Sequence, residues 1–296
     1  MEIDLGEILT PTCESEGRWN GRPGPAMGPR LFGGQAVAQA LLSAAGEECG
    51  DRLPHSLHAH FLKAGSAAEP VNYQVTTLAE GRSFATRRID ARQGELLIFT
   101  ATVSFHINEP GYSHQQDSPY PLDIAASLAA LQSWKTHNKD AGKSPIVERL
   151  QGRPIEIVPL DPGSIFGTRS REPRTGCWMR MRSETASGPL MHRALLAYAS
   201  DMMFLRNALL PHSIRPGSNQ LQAASLDHAI WFHETPDFNR WHLFATDSPW
   251  AGSARGLNRG HFFAEDGRLV ATVAQENLMR PLAPRTDEGK LADAAR

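Results

Sequence analysis

"GQAVAQALLSAAGE" (Gly34 to Glu47) and "GPLMHRALLAYASD" (Gly188 to Asp201) decide the fold when one is laid on the other. Gly34, Ala40, Leu41, Leu42 and Ala45 recur as Gly188, Ala194, Leu195, Leu196 and Ala199. Both stretches are apolar and open on glycine, and both predict helices. Each is followed by an alternating segment, "HSLHAHFL" (55–62) in the first half and "SLDHAIWFH" (225–233) in the second, with the period of a half-buried strand. Each half then closes with a turn and an apolar strand: "ARQGELLIFTATVSF" (91–105) against "AEDGRLVATVAQENL" (264–278), with the Gln-Gly and Asp-Gly turns in register.

The repeating unit is therefore one helix followed by a meander of strands. A helix on an antiparallel sheet, present twice, predicts an α+β architecture in which the two sheets join edge to edge and so hide their exposed strand edges. The expected boundaries are a first repeat at 1–107, a linker at 108–153, a second repeat at 154–281 and a polar tail at 282–296. Within the Pro-, Ser- and His-rich linker, "IAASLAALQSWK" (124–135) has the composition of a short helix. Neither half is expected to be stable without the other.

Composition narrows the function. With 296 residues and a formal net charge of -2, the chain carries no basic stripe for a nucleic-acid backbone and no polybasic membrane anchor. Apolar runs such as "LLIFTATVSF" fall far short of the roughly 20 residues that span a bilayer, and "MEIDLGEILTP" lacks a signal-peptide pattern. Cys13, Cys49 and Cys177 are odd in number and form no C-x-x-C pair, which suits a reducing cytoplasm and ordinary thiols. A cytoplasmic homo-oligomer acting on a small molecule is the expectation, with no metal and no cofactor.

Several chemistries find no motif. No serine has the flanking glycines of a hydrolase elbow, and no H-E-x-x-H occurs. "GKS" (142–144) lacks the earlier glycine of a phosphate loop, whose place is taken by His137. His55, His58 and His60 crowd one segment, but strict alternation sends His55 to the face opposite the other two. "DFNRWH" (237–242) has the D-x-N-x-x-H spacing of hot-dog hydratases, although Trp241 to Thr246 alternate as a strand and Arg240 stands where those motifs carry proline.

One charge lies inside an apolar run. In "HRALLAYASDMMFLRNALL" (192–210), steps of about 100° per residue place Met191, Leu195, Tyr198 and Met202 on one stripe, with Arg193 and Ser200 opposite and Asp201 at the stripe's edge. A buried carboxylate needs partners or a proton, whereas one at a helix end can face water. Both readings stand on this stretch alone.

Taken in order, "RLFGGQAVAQAL" (30–41), "HSLHAHFL" (55–62), "GRSFATRRIDARQ" (81–93), "LLAYASD" (195–201), "SLDHAIWFH" (225–233), "SARGLNRG" (253–260) and "QENLMR" (275–280) resemble the acyl-CoA thioesterase II (TesB-like) family over roughly Arg30 to Arg280. The resemblance implies a double hot-dog fold, in agreement with the repeat. It also implies a water-holding trio of Asp201, Ser225 and Gln275 that cleaves an acyl-CoA thioester, with Ser225 where the family often has threonine. Leu269, Ala271, Val273 and Gln275 share a strand face, so the amide would end an inward apolar row. Arg255 and Arg259 are candidates for coenzyme A phosphates, and read equally well as solvated surface arginines. Gly33 and Gly34 permit close backbone approach. A hot-dog enoyl-CoA hydratase using Asp237 and His242, or a non-catalytic acyl-CoA binder, stays open as an alternative.

Overall fold

The computed structural model describes residues 4–24, 28–46, 50–138, 153–163, 170–184, 188–214 and 220–282. Cys49, Glu47, the "GKS" segment, most of the second half of the linker and nearly all of the polar tail lie outside the described residues. The first half runs α1 (Leu5–Leu9), β1 (Thr12–Ser15), β2 (Arg18–Gly21), α2 (Gly33–Ala45), β3 (Leu53–Phe61), β4 (Val71–Glu80), β5 (Phe84–Gln93) and β6 (Leu96–His106). After α3 (Ile124–His137), the second half runs β7 (Ile155–Pro159), β8 (Arg174–Met181), α4 (Pro189–Ser200), α5 (Arg206–Leu209), β9 (Leu221–Ser225), β10 (Asp227–Phe232), β11 (His242–Gly252), β12 (Arg255–Ala264) and β13 (Leu269–Pro281).

The strands form one sheet in the order β1-β2-β4-β5-β6-β3-β10-β13-β12-β11-β8-β7, and β9 also pairs with β13. The predicted edge-to-edge join is the antiparallel seam of β3 on β10, from Asp227 opposite His60 to Trp231 opposite Ser56. Helices α2 and α4 lie together in the main core with the inward residues of both halves. This is the double hot-dog arrangement that the resemblance implied.

Two local expectations change, and one contrast disappears. The side of α4 opposite the apolar stripe, with Arg193 and Ser200, is enclosed too: every residue of α4 from Arg193 to Ser200 is buried. The helix is enclosed between its sheet and α2, so it has no solvent side. Arg193 is accommodated by donating to Pro54 O at 2.6 Å and Thr235 Oγ1 at 3.2 Å with its guanidinium over Phe232. His55 shares the outer face with His58 and His60, because a register shift between Pro54 and Ser56 inserts one residue and inverts the alternation; its ring meets Ser104 Oγ at 2.9 Å, Phe84 and His106. Among the described residues, no group of three His, Cys, Asp or Glu side chains could hold a metal. "SLDHAIWFH" is two strands and not one, because β9 and β10 pair successive parts of β13 and break at Leu226.

The linker is ordered where it is described. Asp123 caps α3 by accepting from Ala126 N at 2.9 Å, and Ser127 Oγ accepts from buried Trp178 Nε1 at 3.2 Å. Tyr120, Leu122, Ile124 and Leu131 pack on Trp178, Leu243 and Phe263, closing a second apolar layer on the outer face of the second half. Gln115 clips the linker to the β12–β13 hairpin by accepting from Leu269 N and donating to Gly267 O.

Candidate active site at the junction of the halves

The break between β9 and β10 builds the site. Ser225 ends β9 opposite Asn277, while Ala229 on β10 pairs with Ala274. Between these two ladders Leu226 N donates to Glu276 O, and Glu276 N donates to Asp227 Oδ1. The kink sets Ser225 beside the inward side chain of Gln275, whose amide donates to Ser225 Oγ at 2.9 Å. Gln275 does not end the inward row as expected, since buried Asn277 and Met279 continue it and the strand runs to Pro281.

Asp201 is the C-cap of α4, where the chain turns, and it is only partly buried as a residue. Both readings of this aspartate therefore held a part of the outcome: it does end the helix, and its carboxylate is also enclosed by partners. Ser225 Oγ donates to Oδ1 at 3.4 Å, and the backbone N–H of Gly34 donates to Oδ2 at 2.9 Å. The latter is a contact between halves. It brings the start of α2, the positive end of that helix, against the carboxylate. Such an approach tolerates no side chain: a Cβ on Gly33 would lie 2.7 Å from Asp201 Oδ2 and 3.0 Å from the Phe61 ring, and one on Gly34 would lie 2.3 Å from Tyr198 O.

The hydroxyl of Ser225 has a forced direction. It accepts from Gln275 Nε2 and, at 3.4 Å, from Asn277 Nδ2, so both lone pairs are occupied and its hydrogen points to Asp201. Asn277 is held by Asn258 Nδ2 at 2.8 Å, and Asn258 Oδ1 accepts from Ala208 N within α5. Burial pushes the pKa of Asp201 up, opposed by His228, the Gln275 amide, the Gly34 N–H and Ser225. Burial pushes that of His228 down, opposed by Asp201, Gln275 and Asp227. The result is a carboxylate more basic than usual, kept ready by donors.

A cavity of about 380 Å³ reaches this cluster at Ser225 and Gly33, with Asp201 and Gln275 behind its wall and with Phe61, Leu226, Arg30 and Lys63 among the other lining residues. The structure thus brings Asp201, Ser225 and Gln275 together, and Arg255 and Arg259 elsewhere. Both arginines stand on the exposed face of β12, opposite the face of its buried neighbour Asn258. Arg259 is paired with Asp247 at 2.7 Å and Arg255 with Glu276 at 3.2 Å. Asp237 and His242 do not form a pair either: Asp237 is exposed, and His242 is buried at the start of β11 with Nδ1 on Arg240 O and its pKa pushed down to about 4 by burial. Sequence reasoning did not single out Asn277 or His228, which touch this cluster, or Arg30 and Lys63 on the cavity wall. Only the polar letters in an otherwise apolar strand face, Gln275 and Asn277, offered a signal.

Fold and site together define a double hot-dog protein with a carboxylate-centred site built where its halves meet. Two family models match the chain, one described as acyl-CoA thioesterase over residues 160–278 and one as acyl-CoA thioesterase N-terminal domain over residues 22–106. The chain is 37% identical over 272 residues to the acyl-coenzyme A thioesterase 8 of Mus musculus, covering 88% of this chain and 83% of that one. It is 36% identical over 255 residues to the acyl-CoA thioesterase 2 of Haemophilus influenzae, covering 85% and 88%. A crystal structure of an acyl-CoA thioesterase II from Mycobacterium marinum superposes with a TM-score of 0.75 at 29% identity, covering 95% of this chain and 98% of that one. The chain belongs to the acyl-CoA thioesterase family and is a thioester hydrolase.

Proposed function

We propose that the chain hydrolyses fatty acyl-CoA to free acid and coenzyme A, with Asp201 as the general base that activates water. The observation that carries this reading is the carboxylate itself, made more basic by burial and oriented by Ser225, Gln275 and the Gly34 N–H beside a cavity. Water on a free lone pair of Asp201 attacks the thioester carbonyl carbon while its proton passes to the carboxylate. The tetrahedral oxyanion collapses, the C–S bond breaks, and the thiolate recovers the proton from Asp201. A thiol of pKa about 8.5 leaves with little acid assistance. At the start of α2 the N–H groups of Gly34, Gln35 and Ala36 are held by Asp201 and Phe32 O, which leaves the N–H of Gly33, on the cavity wall, as the donor from this helix for the oxyanion. Arg30 and Lys63 on the cavity wall suit coenzyme A phosphates better than Arg255 and Arg259, which are engaged on another face.

The reading includes the repeat boundaries 1–107 and 154–281 with 108–153 as linker, supported by the β3–β10 seam and the strap-like packing of α3. It also includes a cytoplasmic homo-oligomer. Among the described residues no helix is long and apolar enough to cross a membrane, and half-exposed Trp231 beside His58 offers an apolar patch on the outer seam that a second copy would cover. Asp201→Asn is expected to retain the fold and to lower kcat for thiol release by at least about 10²-fold. A single turnover with enzyme in excess in ¹⁸O-labelled water separates base from nucleophile: label in the product acid supports the base, and unlabelled product would mean attack by Asp201 itself.

A further inference from the structure

Behind the three proposed site residues lies a fully buried histidine with no contact to the cavity. His228 Nδ1 is 2.6 Å from Gln275 Oε1, and His228 Nε2 is 2.9 Å from Ser200 Oγ. His228 and Ser200 are both completely buried, so no water competes for these bonds. A neutral imidazole has one donor and one acceptor, and a primary amide has one end of each kind. Histidine tautomer and amide direction are therefore locked together.

Two arrangements satisfy the chain. With hydrogen on Nδ1, the ring donates to Gln275 Oε1, the amide NH₂ faces Ser225, the Ser225 hydrogen is left for Asp201, and Nε2 accepts the Ser200 hydroxyl hydrogen, which then turns away from Ala197 O. With hydrogen on Nε2, the ring donates to Ser200, whose hydroxyl donates to Ala197 O, and Nδ1 would draw the amide NH₂ toward itself. Gln275 Oε1 would then face Ser225 and take the hydrogen that Asp201 needs. Only the first leaves the carboxylate its donor.

We propose that His228 is a positioning residue that fixes the direction of the Gln275 amide and, through it, the Ser225 hydroxyl that orients Asp201. This rests on Asp201 being the base. It adds a fourth residue, acting through a hydrogen-bond relay from Ser200 to His228 to Gln275 to Ser225 to Asp201.

The test compares His228→Asn, His228→Gln and His228→Leu, each alone and combined with Gln275→Ala, by steady-state thiol release from a fatty acyl-CoA. The amide nitrogen of asparagine falls near the place of imidazole Nδ1, whereas that of glutamine falls near Nε2. The expected kcat is within about threefold of the parent for His228→Asn and about 10- to 100-fold down for His228→Gln and His228→Leu, with KM changed by less than about twofold, the scale of losing an outer orienting partner. In the Gln275→Ala background, His228→Leu should change kcat by less than about twofold, because its route to Asp201 is already cut. Equal kcat in the asparagine and glutamine variants, or an undiminished loss in the Gln275→Ala background, overturns the proposal. If His228→Leu fails to fold, the asparagine and glutamine pair still decides it, since both retain a polar amide in the buried site. Asp201→Asn run in parallel separates the two levels: near-parent turnover there defeats the base itself, whereas a deep loss there with equal asparagine and glutamine variants defeats only the role of His228.

Discussion

Gly33→Ala tests the junction of the halves at one atom. The added Cβ would stand 2.7 Å from Asp201 Oδ2 and 3.0 Å from two atoms of the Phe61 ring, against an ordinary contact distance of about 3.4 Å. The carboxylate or the start of α2 must therefore retreat by about 0.7 Å. The Ser225 hydrogen bond to Oδ1 is already 3.4 Å long, so a retreat of that size breaks it. A misplacement of about 1 Å costs on the order of 10²-fold in rate, so kcat should fall by about 10- to 100-fold. Overpacking of this kind costs about 1–3 kcal/mol, which for a chain of this size lowers Tm by roughly 2–10 °C. Thiol release across an acyl-CoA series and a thermal melt give both numbers. Gly188, the counterpart of Gly34 in the second repeat, is the internal control: a Cβ there meets nothing within 4 Å, and its φ of -71° suits any residue. Gly188→Ala should match the parent in kcat, with Tm lowered only by the poorer N-cap that alanine makes for α4, a cost of about 1 kcal/mol or less. A Gly33→Ala enzyme with parental kcat and Tm would falsify the placement of Asp201 against α2.

Three further outcomes are expected. Because burial raises the pKa of Asp201, the acid limb of kcat should lie above the ordinary carboxylate range; its stabilising effect in the protonated form is complete below the unfolded value and is lost as pH rises through the folded one, so Asp201→Asn should flatten the Tm profile across that window. An acid limb at or below the ordinary range would contradict the desolvated site. Arg30→Ala with Lys63→Ala should raise KM for acyl-CoA by about tenfold or more and weaken its dependence on salt while Arg255→Ala leaves KM alone, as read from initial rates at two ionic strengths. Residues 1–107 expressed alone should aggregate, since β3 would lose β10 along its edge and α2 would lose α4; a soluble fragment with a cooperative melt would contradict the shared core.

The repeat was legible because it rests on residues with strong local preferences: the two alanine-rich helices, the alternating β3 and the turns before β6 and β13. The edge-to-edge seam followed from the same repeat, since two half-open sheets need each other. What failed did so where one inserted residue or one neighbour outweighed the local pattern. A single extra residue at His55 reversed its face, and the break at Leu226 split a continuous alternation into two strands. Arg193 fell opposite the apolar stripe, and a helical wheel has no knowledge of Pro54, Phe232 and Thr235, which close over that side. At the site, Asp201 stood out as a charge inside an apolar run, but its role, with Ser225 and Gln275, was named from family resemblance and not from the pattern of the residues. Their supports could not be named so, because the amide of Gly34 carries no side-chain letter and His228 reads as any alternating strand residue.

The hydrogen bond from Gly34 to Asp201 closes a span of 167 residues, the longest of the contacts around the carboxylate. Local hairpins such as β5–β6 can form early in folding, whereas a contact of that separation waits for loop closure between halves. Hydrolysis is thus a reporter of the last event in maturation. A refolding chain should recover its far-ultraviolet ellipticity first and its turnover later, and a ribosome-bound chain that has not yet released Gln275 has no capacity to cleave a thioester.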